Sequence, residues 1–115
     1  MSRTFDEEEL LERVDNDWDF LGDTVQMLAD DGPGLLADIR RSVDAGDAPG
    51  VGRAAHTLKG MISNFCAAEA QSSALAVEQI GKGGDLSGVA TALQTLEAHL
   101  NALIADLNGF VSTRT

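Results

Sequence analysis

The feature that most constrains this chain is a seam of aliphatic residues near its C-terminus. Val89, Leu93, Leu96, Leu100, Leu103 and Leu107 recur at alternating spacings of four and three. That period gathers all six on one face of an α-helix, whereas a strand would scatter them over both faces of a sheet. A helix with so long an apolar stripe must bury it, and helical patterning elsewhere in the chain supplies the partners. Sustained strand-like alternation occurs nowhere. Aromatic residues make up only 4% of the sequence, so the core has to come from Leu, Val, Ile and Ala, as packed helices favour.

Six helical segments are predicted. Thr4 followed by Glu7 has capping-box spacing and opens a short acidic helix over about residues 5–14. Asn16 is placed to cap a second helix with the stripe Trp18, Leu21, Val25 and Leu28. Asp31-Gly32-Pro33 predicts a break or kink, with Pro33 in the first turn of a third helix that carries Leu35, Leu36, Ile39 and Val43 and ends at Ala45-Gly46. Asp47 caps a fourth helix with Pro49 in its first turn and apolar positions Val51, Ala54/Ala55, Leu58, Ile62 and Phe65. A fifth covers about 68–81 and is rich in small residues, Gly81-Lys82-Gly83-Gly84-Asp85 reads as a turn, and Gly109 is the expected stop of the last helix. The expectation is an all-α fold: an antiparallel four-helix bundle with a short accessory N-terminal helix. It forms one domain over 1–115, with its core at about 5–107.

Charge narrows the functions. The formal net charge is −11, from 19 acidic and 8 basic residues, which disfavours nucleic acid and anionic membrane as partners. No run approaches the ~18 apolar residues of a membrane span, and the acidic N-terminus is unlike a secretory leader. A lone cysteine, Cys66, excludes an internal disulfide framework, and the cytoplasm is the expected compartment. Against this acidic background, a local group of Lys and Arg stands out.

That group surrounds a histidine. Plotted at about 100° per residue, the fourth helix centres its core stripe near Val51, Leu58 and Ile62, and His56 falls roughly 140° away, toward solvent. Gly52 and Arg53 lie one turn before it, and Lys59, Gly60 and Ser63 after it. An exposed neutral imidazole is a nucleophile able to hold a phosphoryl group as a phosphoramidate. Lys59 is spaced to offset phosphoryl charge, with Arg53 assisting. Gly60 leaves clearance for a docking partner, which gives a reason for a residue that costs a helix about 1 kcal/mol relative to Ala. By helix geometry alone, a solvated basic face is the commoner meaning of such a pattern.

The string Ala55-His56-Thr57-Leu58-Lys59-Gly60 resembles the signature of histidine phosphotransfer (HPt) domains, A-H-x-L-K-G around the phospho-accepting histidine. The similarity extends to Asn64-Phe65, to Val77-Glu78, to Gly46-Asp47, and upstream to Phe5-Asp6, Leu10-Leu11-Glu12-Arg13 and Asp17, over about residues 5–107. Met61 and Cys66 depart from it, standing where the family usually has a small residue and often has glycine. The resemblance implies that His56 accepts a phosphoryl group from a receiver-domain aspartyl phosphate and passes it to another receiver. It further implies charge balance by Lys59 and clearance by Gly60; Arg53 is an extension from helix geometry. Receiver domains or a hybrid histidine kinase are the implied partners. The chain itself is expected to be a monomeric phosphocarrier without its own ATP site or bound cofactor, Mg²⁺ residing on the receiver. A phosphate-independent adaptor, and the phospho-accepting substrate domain of a histidine kinase, are the competing readings. The Met start and the absence of kinase motifs favour a free-standing protein over the latter.

Other candidates are weaker. Asp15, Asp17 and Asp19 alternate like an EF-hand start, but Phe20 and Gln26 occupy the positions of its glycine and closing glutamate. Gly81-Lys82-Gly83-Gly84 lacks P-loop spacing. His99 has no second ligand at metal spacing and reads as a flank residue, and Cys66 as packed at a helix end rather than reactive.

Overall fold

Local chemistry at each helix start shapes the fold of the computed structural model, which describes residues 4–113. Helix α1 (Glu7–Arg13) is capped by Asp6, whose carboxylate accepts from the Glu9 N–H. The expected Thr4–Glu7 box is not used, because Thr4 donates instead through both its N–H and its hydroxyl to Asp106. Asp15 and Asn16 follow in the left-handed conformation, both at φ 58°. A cap needs extended backbone, so Asn16 cannot serve and Asp17 caps the next helix by accepting from the Phe20 N–H.

That helix, α2 (Trp18–Asp44), runs unbroken for 27 residues through Pro33, so the two helices expected here are one. Pro33 has no N–H to give, a deficit of about 3 kcal/mol in a helix interior. Leu28, Leu36 and Ile39 on either side are buried in the core, and burying each contributes roughly 1.5–3 kcal/mol. Packing therefore outweighs the local defect. Gly32 assists, since a Cβ there would lie 3.3 Å from Leu100 Cδ2.

Helix α3 (Ala48–Ile62) opens as predicted, with Asp47 accepting from the Gly50 N–H and Pro49 in the first turn. A single 3₁₀ turn (Ser63–Phe65) ends at Cys66, which is left-handed at φ 56°. That conformation costs glycine least, which fits the glycine that the resemblance leads one to expect where Cys66 stands. Helix α4 (Ala68–Gly83) extends two residues past its expected end and is closed by left-handed Gly84. Helix α5 (Val89–Ser112) carries the aliphatic seam and passes through Gly109 to Phe110, whose burial extends the helix beyond its expected stop.

Among the described residues there are five helices and no strands. Short turns make α2–α5 successive antiparallel neighbours; α3 packs between α2 and α4, and α5 against α4 and α2, closing a four-helix ring. Leu93, Leu96, Leu100, Leu103 and Leu107 line its interior with Leu28, Ile39, Val51, Leu58, Ile62 and Val77. Helix α1 closes one end, where Phe110 meets Phe5 and Trp18 at ring-centroid distances of 5.2 and 5.0 Å. No helix of the described residues is long and apolar enough to cross a membrane.

Candidate functional site

With Val51, Ala55, Leu58 and Ile62 fixed in the core, the turn of α3 between them has to face outward. His56 does so with 66% of its side chain exposed. Arg53 is also exposed, and Gly60 faces open space, with no atom within 4 Å of where a Cβ would stand. Gly52 departs from expectation: it is buried against α4, not part of the solvent face.

Lys59 takes a different course. Its side chain, 25% exposed, turns toward α4 and places Nζ 2.7 Å from Glu78 Oε1. Glu78 is fully buried, yet it sits beside three donors. Its Oε2 lies 2.9 Å from His56 Nδ1 and 2.8 Å from Lys82 Nζ. A buried carboxylate ordinarily shifts toward protonation. Here the ammonium groups of Lys59 and then Lys82, in close ion pairs with it, outweigh the burial, the hydrogen bond from His56 adds to them, and the carboxyl is held down from 4.5 to about 2. Glu78 is thus an anion at neutral pH and can only accept hydrogen bonds.

This settles the imidazole's tautomer. Since Oε2 cannot donate, Nδ1 must carry the hydrogen, and in the neutral ring the lone pair belongs to Nε2. The nitrogen not held by the carboxylate is therefore the one with its lone pair open to solvent. Beside it runs a groove between α3 and α4 lined by Arg53, Thr57, Gly81 and Lys82 as well as His56 and Glu78. Met61 lies on the other side of the α3 ridge, half-buried in a shallow cleft with Leu35, Gly34 and Thr57.

A family model described as the Hpt domain matches residues 23–106, a stretch holding all of α3 and α4 and most of α2 and α5. The chain belongs to the Hpt domain family. No curated protein and no solved structure matches it significantly. An Hpt domain is a phosphocarrier of two-component phosphorelays, which gives the exposed histidine of this Hpt domain its chemical context.

Sequence reasoning brought His56, Lys59, Gly60 and Arg53 to one region of the Hpt surface, and it assigned no role to Glu78 or Lys82. A signal for Glu78 existed. It occupies the apolar stripe of α4 with Ala70, Ala74, Val77 and Gly81, where a lone carboxylate demands a cationic partner. Lys82, assigned to a turn, is instead in the last turn of α4, one turn from Glu78.

The remaining candidates do other work. Asp17 is a helix cap, and among the described residues no three His, Cys, Asp or Glu side chains are grouped to hold a metal. His99 flanks the α5 seam, with Nδ1 against the Ser73 hydroxyl and Nε2 3.9 Å from Glu69. The Cys66 thiol is pushed up by burial and then by its hydrogen bond to Glu9, which disfavours the reactive thiolate.

Proposed function

We propose that His56 is the phospho-accepting residue and that Nε2 is the atom that carries the phosphoryl group. The observation that carries this reading is the Nδ1–Glu78 contact at 2.9 Å, which leaves Nε2 as the free nucleophile on an exposed ridge. The Nε2 lone pair attacks the phosphorus of a receiver's aspartyl phosphate. A P–N bond forms, the acyl O–P bond breaks, and the aspartate carboxylate leaves with the bonding pair. The ring gains positive charge as the P–N bond forms, and the Glu78 carboxylate stabilises it through Nδ1–H, much as an acid orients and steadies a catalytic imidazole. Donation to a second receiver is the same step reversed.

Chemistry of this kind is mostly positioning and charge stabilisation. Arg53 and Lys82 flank the ring on the groove side, and Lys59 anchors the carboxylate beneath it. Lys59 thereby acts on the phosphoryl charge through a site it also holds together. Gly60 leaves the approach from the next turn unobstructed. The receiver supplies Mg²⁺ and the aspartate, and the carrier works as a monomer in the cytoplasm, a setting that suits its single thiol.

The test is label transfer from a radiolabelled, phosphorylated receiver domain. The wild type is expected to acquire an acid-labile, alkali-stable phosphoryl group, and His56→Gln to acquire none. Equal labelling of the two removes His56 from the role. Binding of the receiver by both, with label on neither, identifies an adaptor instead.

A further inference from the structure

The His56–Glu78 contact joins two helices, so its length depends on how closely α3 and α4 approach. A backbone-to-backbone approach lies one turn away, where Gly52 of α3 meets Gly81 of α4. A Cβ built on Gly81 would stand 2.9 Å from the Ala48 carbonyl oxygen, 2.8 Å from Gly52 Cα and closer still to Gly52 N. All three are backbone atoms, so no side-chain rotation relieves the overlap. The reverse substitution is different: a Cβ on Gly52 would meet Lys82 N at 3.6 Å and the Glu78 carbonyl oxygen at 3.7 Å, ordinary contact distances.

Resting on the phosphocarrier reading, we infer that Gly81 is a positioning residue for phosphoryl transfer, holding α4 close enough for Glu78 to fix the His56 tautomer. Restoring normal contact around a Gly81 methyl requires the helices to part by about 1 Å, which would stretch a 2.9 Å hydrogen bond beyond bonding range. The loss is selective. Lys82 sits on the same helix as Glu78 and moves with it, keeping its ion pair. Lys59 has a long, adaptable stem. The short imidazole has neither advantage and loses the carboxylate first.

The experiment uses the full chain, with imidazole ¹⁵N NMR to read the tautomer and phosphoramidate as a small phosphoryl donor to read labelling of His56. Wild type and Gly52→Ala should both show the Nδ1–H form. Gly81→Ala should lose that form's predominance and label about tenfold more slowly, the worth of one charge-assisted hydrogen bond. Should Gly81→Ala fail to fold, Gly52→Val replaces it, since its γ-methyls reach into the same crossing. A folded variant of either kind with the wild-type tautomer and rate overturns the inference, as does an equal loss in Gly52→Ala. Failure of the wild type to take phosphate on His56 strikes the phosphocarrier reading instead, and leaves the tautomer comparison intact.

Discussion

Replacing Glu78 by Gln tests the electrostatic core of the site in a way that pH can dissect. The substitution keeps the shape and removes the charge that Lys59, Lys82 and His56 share. A carboxyl held at about 2 instead of 4.5 in the folded state stabilises that state by roughly 3 kcal/mol at neutral pH. Lys82 is 68% exposed, so solvent screening trims the figure to about 2 kcal/mol. For a chain of 115 residues this is a drop in Tm of about 8 °C. The sign with pH follows from the direction of the shift. A depressed pKa contributes its stability above 4.5 and loses it as pH falls toward 2, because a protonated Glu78 resembles glutamine. Urea titrations followed by circular dichroism, at several pH values from 7 down to 2.5, should therefore show a wild-type advantage of about 2 kcal/mol that closes steadily below pH 4.5. Other carboxylates titrate in both proteins and cancel in the difference. An advantage that stays constant down to pH 2.5, or none at pH 7, refutes the assignment of Glu78 as an anion clamped by three donors.

Three other outcomes separate structural from functional roles. Gly60 faces open space, so Gly60→Leu should leave thermal stability equal or raise it by up to about 1 kcal/mol, while slowing phosphoryl transfer with a receiver; unchanged transfer would dismiss the clearance role. Pro33→Ala should raise stability by at least about 1 kcal/mol in the same urea assay, by restoring an N–H inside α2, and a loss would show that the proline is required there. Cys66 should react with iodoacetamide at pH 7.5 more slowly than a free cysteine, since burial and Glu9 keep it protonated; a rate at or above that of the free amino acid contradicts this.

What the sequence disclosed was whatever depends on a single helix. The seam of α5 and the outward turn of His56 follow from a periodicity that no neighbour alters. Asp47 and Pro49 opened α3 as expected because a cap is decided within four residues. Errors arose where a second element decides. Pro33 signals a break locally, but Leu28, Leu36 and Ile39 are held on both sides of it by the rest of the bundle. Thr4 has cap spacing, but Asp106, more than a hundred positions away, claims its donors. Gly52 shares a helical sector with His56, and only the position of α4 shows that it is covered. The partners of Glu78 on α3 were hidden for the same reason, since pairing across helices depends on their register.

That register explains why a charged residue stands at position 78 at all. A buried carboxylate with partners is usually no more stabilising than an apolar residue of similar size, so its presence points to what it arranges. Glu78 engages the imidazole through one ring nitrogen and so leaves the other free. Around the ring, Arg53, Lys59 and Lys82 set three cations against this one carboxylate, a surplus of two positive charges within a chain whose net charge is −11. A phosphoryl group brings nearly two negative charges. An apolar residue at 78 would leave Lys59 unpaired against the core and His56 free to choose its tautomer. Two carboxylates would leave too little positive charge for the phosphoryl group. On the phosphocarrier reading proposed above, one carboxylate placed by a close helix crossing both orients the nucleophile and leaves the site matched to its load.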